Sequence, residues 1–217
     1  MTTPIRAVFL DFDGVLVDSE PLHYECWAQV LRPLGIVFSQ EDYTARYVGV
    51  SNRAMVQDLC DRFGRPGGRD FFEAQYREKK VLYARRAATE LRIPADLIGL
   101  LLTPGNSLDF GVVTSSNKSE VEPCLIAAGI RDRLAVLVCD RDVQRLKPEP
   151  DPYLKALELL SARGETLRAS SCLVVEDSGP GVESAQRAGM QVLQVRHPDE
   201  VASRLQMVLS DNQYYVK

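Results

Sequence analysis

Apolar positions along this chain follow two rhythms. Five short, nearly continuous runs stand at "RAVFL" (6–10), "FGVVT" (110–114), "AVLVC" (135–139), "CLVV" (172–175) and "VLQV" (192–195). Unbroken runs of this length, rich in β-branched residues, predict strands covered on both faces. Between most of them the spacing is helical: Leu22, Cys26, Val30 and Leu34 lie four apart before Gly35 closes the segment. "DPYLKALELLSARG" (151–164) offers Asp151 as N-cap, Pro152 at the first helical position and Gly164 as terminator. Strands alternating with helices predict an α/β fold built on a doubly wound parallel sheet.

One stretch departs from that alternation. From about Glu20 to about Thr89 there is no strand pattern, only helical segments. "SQED" (39–42) reads as a capping-box start, and Ser51 caps a run ending at Gly64. A third helix spans "RDFFEAQYREKKVLYARRAA" after the turn residues "RPGG". The expected organisation is therefore an α/β core of residues 1–18 and 90–217, with a small helical domain of residues 19–89 inserted after the first strand.

Composition narrows the function classes. Hydrophobic residues are 45%, charged residues 26% and the net charge is −4, which fits a globular chain and argues against a broad nucleic-acid or anionic-membrane surface. The five cysteines are odd in number, scattered and free of C-x-x-C, so buried thiols in a cytoplasmic protein are expected rather than disulfides or a zinc knuckle. With only His23 and His197, a histidine-rich metal site is not expected. With a strand-like run starting at Ile5, no signal peptide is expected, and the apolar runs are too short to span a bilayer. A monomer acting on a small molecule is the default expectation.

In an open parallel sheet, ligands bind outside the carboxyl ends of the strands, so the residues following each run matter most. The first run is followed by Asp11, Phe12, Asp13 and Gly14; the second by Thr114, Ser115 and Ser116; the fourth by Glu176, Asp177 and Ser178. Beyond the third, "RLKPEP" sets Lys147 ahead of a turn into a helix. Spacing by two along an extended end sends Asp11 and Asp13 to the same side, and Gly14 lets the chain turn away. Asp11, Asp13 and Asp177 together repel one another unless a cation sits among them, and oxygen-only ligands suit Mg²⁺. Thr114 and backbone N–H groups then suit phosphoryl oxygens, whose charge Lys147 offsets. One carboxylate can attack phosphorus while a second handles the leaving group's proton.

Each piece alone has a plainer reading. Asp140 and Asp142 also follow a strand-like run, but with no Gly turn they read as an acidic loop. "TSS" alone is a polar turn, "EDSGPG" a capped strand-to-helix turn, and a lysine before proline a solvated side chain. Their conjunction, in this order and at strand ends, carries the chemistry.

"DFDGVLVDSEPLH", "VVTSSN", "RLKPEPDPYLKAL" and "LVVEDSGPGVESAQRAGM" resemble the four motifs of the haloacid dehalogenase superfamily. More narrowly they are similar to its β-phosphoglucomutase-like phosphatases, which carry a helical cap after the first strand. The resemblance spans roughly residues 5 to 195. It implies Asp11 as nucleophile and Asp13 as general acid/base, Asp13 also lending its backbone carbonyl to Mg²⁺. It implies Thr114, with Ser115 and Ser116 beside it, as phosphoryl binder, Lys147 as orienting cation and Asp177 as metal ligand. Glu176 either supports that metal site or binds metal directly. Cap closure is expected to keep water from the nucleophile until the phosphoryl group has moved.

Departures from the family pattern bear on the reaction. Dehalogenases of this superfamily lack the second aspartate, so Asp13 favours phosphoryl transfer over carbon–halogen chemistry. The mutases carry a cap lysine and arginine in a "KGVSR"-like loop; here "VGVSNR" (48–53) puts Val48 and Asn52 at those places, with Gly49 between and Arg53 one place on. Asn52 and Arg53 read either as substrate contacts or as a polar helix start. His23, a hinge residue in the mutases, reads either as functional or as locally packed. Arg85 and Arg86 read as a solvated face, and His197 as a surface turn residue. The expected activity is a Mg²⁺-dependent phosphatase acting through an aspartyl-phosphate on a small phosphorylated metabolite, with a sugar phosphate as the expected substrate class. A sugar phosphomutase, a non-catalytic binding protein on the same fold and a phospho-aspartate receiver domain are the alternatives.

Overall fold

The structure is a computed structural model describing residues 3–103, 108–164 and 167–212. The chain divides into two compact units, Met1–Asp18 with Arg92–Lys217, and Ser19–Leu91.

In the first unit, strands β1 (Ala7–Leu10), β2 (Asp109–Val113), β3 (Leu134–Val138), β4 (Cys172–Glu176) and β5 (Gln191–Gln194) form one sheet in the order β3-β2-β1-β4-β5. Every pairing is parallel. This is the doubly wound α/β sheet expected from the run pattern. Every residue of β1 and β4 is buried, whereas β3 alternates and β5 is half open. That contrast follows from position, since central strands are covered on both faces and edge strands are not. Phe9, Val113, Val138, Tyr153, Val174 and Ala185 belong to one packed core.

Successive strands step from β1 outward to β3, then return to the other side of β1 through β4. The reversal between β1 and β4 is the topological switch point, where loops diverge and leave a crevice. Leu10 pairs with both Val112 and Val175, so Asp11 emerges level with Val113 and Glu176.

The second unit is helical throughout: α1 (Glu20–Leu31), α2 (Gln40–Tyr47), α3 (Asn52–Arg62) and α4 (Arg69–Glu90); helices α5 (Ala95–Leu102) and α6 (Lys118–Ala127) follow in the first unit. Ser39 and Ser51 cap α2 and α3, accepting from the amides of Asp42 and Ala54. Trp27, Leu31, Tyr43, Met55 and Leu59 form its core. The unit reaches Leu91 rather than 89, and α4 runs two residues further than the sequence pattern suggested.

Three local expectations need correction. α1 stops at Leu31, and Leu34 falls in a following 3-10 turn closed by Gly35. Asp151 is not the cap of its helix but the first residue of α7 (Asp151–Ser161), and Pro152 the second. Its carboxylate is drawn instead to the Arg145 guanidinium, 2.7 Å away. Of the solvated face expected at Arg85 and Arg86, Arg85 is exposed, but Arg86 is only partly so: it donates to Glu25 and Glu90, tying α1 to α4.

Candidate active site

The site grows out of the carboxyl end of β1. The Asp11 amide donates to the Val175 carbonyl, continuing the sheet by one residue. The chain then turns: the Gly14 amide donates to Val17 O, and the Leu16 and Val17 amides donate to Phe12 O. Phe12, Val15, Leu16 and Val17 are buried, so apolar anchors fix the turn while Asp11 and Asp13 stay at its edge. Gly14 has φ +73°, and a Cβ there would lie 2.1 Å from Asp177 Oδ2. A side chain at Gly14 would fill the place the carboxylate occupies.

Lys147 is the hub. Its ammonium donates to Asp11 Oδ1 at 2.8 Å, Glu176 Oε1 at 2.6 Å and the Val113 carbonyl at 2.9 Å. Only 6% of its side chain is exposed, so it is no solvated lysine. Burial alone would lower its pKa, but Asp11 and Glu176 outweigh that and hold it above the ordinary lysine value.

Glu176 is fully buried and saturated with donors. Tyr153 Oη donates to Oε1 at 2.8 Å beside the lysine, while the Ser178 amide and hydroxyl both donate to Oε2. Ser178 also caps α8 (Gly179–Arg187), accepting from the Gly181 amide. A Cβ at Gly181 would come within 1.9 Å of the Glu176 carboxylate, so the close approach of α8 requires glycine there.

Ligand oxygens of Asp11, Glu176 and Asp177 lie within 4.8 Å of one another. The side chain of Asp13 is not part of that group. Its Oδ2 instead accepts from the Ser116 hydroxyl at 2.5 Å, and its Oδ1 is buried with no hydrogen-bond partner. Burial, reinforced by the neighbouring carboxylates and opposed by Lys147, pushes Asp11 up to about 7. Burial and then Glu176 push Asp177 up to about 6.

The loop after β2 is held against β3: the Thr114 amide donates to Val138 O and the Asp140 amide to Ser116 O. Buried Thr114 Oγ1 accepts from the Ser116 amide at 3.0 Å, and Ser115 is exposed. Asp140 and Asp142 form a separate 3-10 turn, in which Asp142 accepts from the Cys139 amide.

In the helical unit, Asn52 Oδ1 accepts from the Trp27 indole at 2.9 Å, an anchor for α3. Arg53 and Gly49 are exposed, and Gly49 takes φ +80° with open space around it. His23 stacks on Tyr83 at 4.3 Å, and its Nδ1 lies 2.7 Å from the Lys79 ammonium. Lys79 is only 3% exposed, a buried cation that the sequence reading passed over. Its signal was its spacing, four residues before Tyr83 and eight before Ala87 on the buried stripe of α4.

A doubly wound sheet whose switch point gathers three carboxylates beside a buried lysine defines an α/β protein with an acidic crevice whose carboxylates could hold a cation. Within that class the chain belongs to the haloacid dehalogenase-like hydrolases, whose family model matches residues 8–195. It is 30% identical over 202 residues to the N-acetylmuramic acid 6-phosphate phosphatase of Pseudomonas putida, covering 90% of this chain and 86% of that one. It is 29% identical over 189 residues to a phosphorylated carbohydrates phosphatase of Thermotoga maritima, covering 86% and 83%. The β-phosphoglucomutase of Clostridium difficile has the same fold, with a TM-score of 0.72 at 18% identity over 97% of this chain and 98% of that one.

Proposed function

We propose that this chain is a Mg²⁺-dependent phosphatase that hydrolyses a small phosphorylated metabolite, of the sugar-phosphate class, through an aspartyl-phosphate on Asp11. The observation that carries the reading is the pairing of two carboxylates in different states of engagement. Asp11 is held on one oxygen by Lys147, and Asp13, two residues on, is held on one oxygen by Ser116 with the other unpartnered. The first suits a nucleophile whose attacking oxygen is aimed by an ion pair; the second suits an acid that protonates the leaving alkoxide and then draws a proton from water.

The donor set fits Mg²⁺: oxygen ligands only, clustered within 4.8 Å, with Asp177 seated where a side chain at Gly14 would otherwise stand. Asp11 and Asp177, with the Asp13 carbonyl, would hold it. Bound there, Mg²⁺ supplies positive charge against the carboxylates and the phosphoryl oxygens. Thr114, with Ser115 and Ser116 next to it, lines the phosphoryl side; Gly49, Asn52, Arg53 and His23 are the helical unit's candidates for the leaving group. Relatives named for phosphorylated carbohydrates support the substrate class. A cytoplasmic monomer is the working form, in keeping with five free, buried thiols.

Incubating the protein with a panel of sugar phosphates and p-nitrophenyl phosphate should release inorganic phosphate with Mg²⁺ and cease with EDTA. A hexose 1-phosphate converted to a phosphorylated isomer without phosphate release would overturn the hydrolase in favour of a mutase. No turnover of any ester would leave a binding protein.

A further inference from the structure

We infer that Tyr153 is a positioning residue for the reaction, acting through Glu176 to hold Lys147 against Asp11. The inference rests on the phosphatase reading above and extends it to a residue on α7 whose hydroxyl reaches Glu176. Three observations carry it. Tyr153 is fully buried, and its hydroxyl donates to Glu176 Oε1, the same oxygen that accepts from Lys147. The Lys147 ammonium lies 5.1 Å from the Tyr153 ring centroid, so the ring also walls the ammonium on one side. Both Ser178 donors occupy Oε2, so the carboxylate of Glu176 is fixed at both ends by the protein.

The physical consequence concerns direction. A carboxylate held only by Ser178 could swing about its last bond and carry Lys147 with it. With Tyr153 on Oε1, that oxygen has one position, and the lysine it binds has one position relative to Asp11. Glu176 in this arrangement has its lone pairs taken by lysine, tyrosine and serine, which makes it an anchor for Lys147 rather than a ligand for the cation.

Tyr153→Phe keeps the ring and removes only the hydroxyl. On p-nitrophenyl phosphate we expect kcat to fall about tenfold with KM within about twofold, as for loss of one hydrogen bond to a charged group. Mg²⁺ affinity, read by calorimetry without substrate, should stay within about twofold of wild type. A double-mutant cycle separates positioning from packing: in a Glu176→Gln background, Tyr153→Phe should cost kcat little more. If Glu176→Gln does not fold, Ser178→Ala supplies the second arm, where loosening Oε2 should make the Tyr153→Phe loss larger than in wild type. Unchanged kcat in Tyr153→Phe, equal losses in both backgrounds, or a Mg²⁺ affinity that falls with kcat would overturn the inference. Wild-type protein without turnover would instead defeat the phosphatase reading. The cycle is then read in urea midpoints, where additive effects of Tyr153→Phe and Glu176→Gln would overturn the pairing.

Discussion

Lys147 joins three strand ends through one ammonium, bonding Asp11 after β1, Val113 of β2 and Glu176 of β4. Removing it leaves two carboxylates in a buried crevice with no counter-charge. Lys147→Ala is therefore expected to lower stability by about 3–5 kcal/mol at pH 8, the range for breaking one side of a buried pair. Urea denaturation measures this; a loss under about 1 kcal/mol would mean water already screens the pair. Asp11, Asp13, Thr114 and Asp177 stood out in the sequence as candidates because each stands just past an apolar run, and Lys147 because it stands ahead of a turn into a helix. Tyr153 and Lys79 were not. An aromatic on a helix reads as core, and a lysine on a helix reads as surface, until tertiary packing shows the hydroxyl or ammonium facing a partner.

At the scale of elements, the turn after β1 sets the relation between Asp11 and Asp177. Gly14→Ala meets two obstacles, a left-handed backbone and an Asp177 oxygen 2.1 Å from the new Cβ. The cheaper response is for the Asp177 side chain to swing away. The fold should lose about 1–2 kcal/mol from the backbone term, while half-saturation by Mg²⁺ shifts to higher concentration. Activity titrated with Mg²⁺ separates the two effects; an unchanged half-saturation would show that Asp177 does not depend on that turn. The strands were readable because parallel strands buried on both faces leave continuous apolar runs. Helix ends were read less well: Asp151 has the chemistry of a cap, yet Arg145 outcompetes the backbone amides for its carboxylate. "VGVSNR" is a turn over 48–51 that passes at Asn52 into α3, the polar helix start that was one of its two readings, but the bond from the Trp27 indole to Asn52 depends on packing between residues 25 apart.

For the molecule as a whole, acidic groups at the crevice make its stability depend on pH and metal together. Asp11 near 7 and Asp177 near 6 both stand above their ordinary value of 3.8. A raised carboxylate pKa means the folded state holds its proton more tightly than the unfolded chain. The metal-free protein therefore loses stability from these groups as pH rises from about 4 through about 7. The proposed Mg²⁺ site requires the ionised forms, so stabilisation by added Mg²⁺ should be larger at pH 8 than at pH 5.5. Thermal melts with and without Mg²⁺ at the two pH values test this, and Asp177→Asn should flatten the difference. The fold itself was legible at this scale, since strands and helices alternate except where the helical unit intervenes. Which substrate the enzyme takes was not, because motifs fix the chemistry and leave the substrate to side chains whose partners are set by packing. The central claim, that Asp11 carries the phosphoryl group, is tested most directly by phosphate release from p-nitrophenyl phosphate with Mg²⁺ in Asp11→Asn. The account predicts a loss of at least about 10³-fold in a protein that still unfolds cooperatively; retention of a tenth or more of wild-type turnover would contradict it.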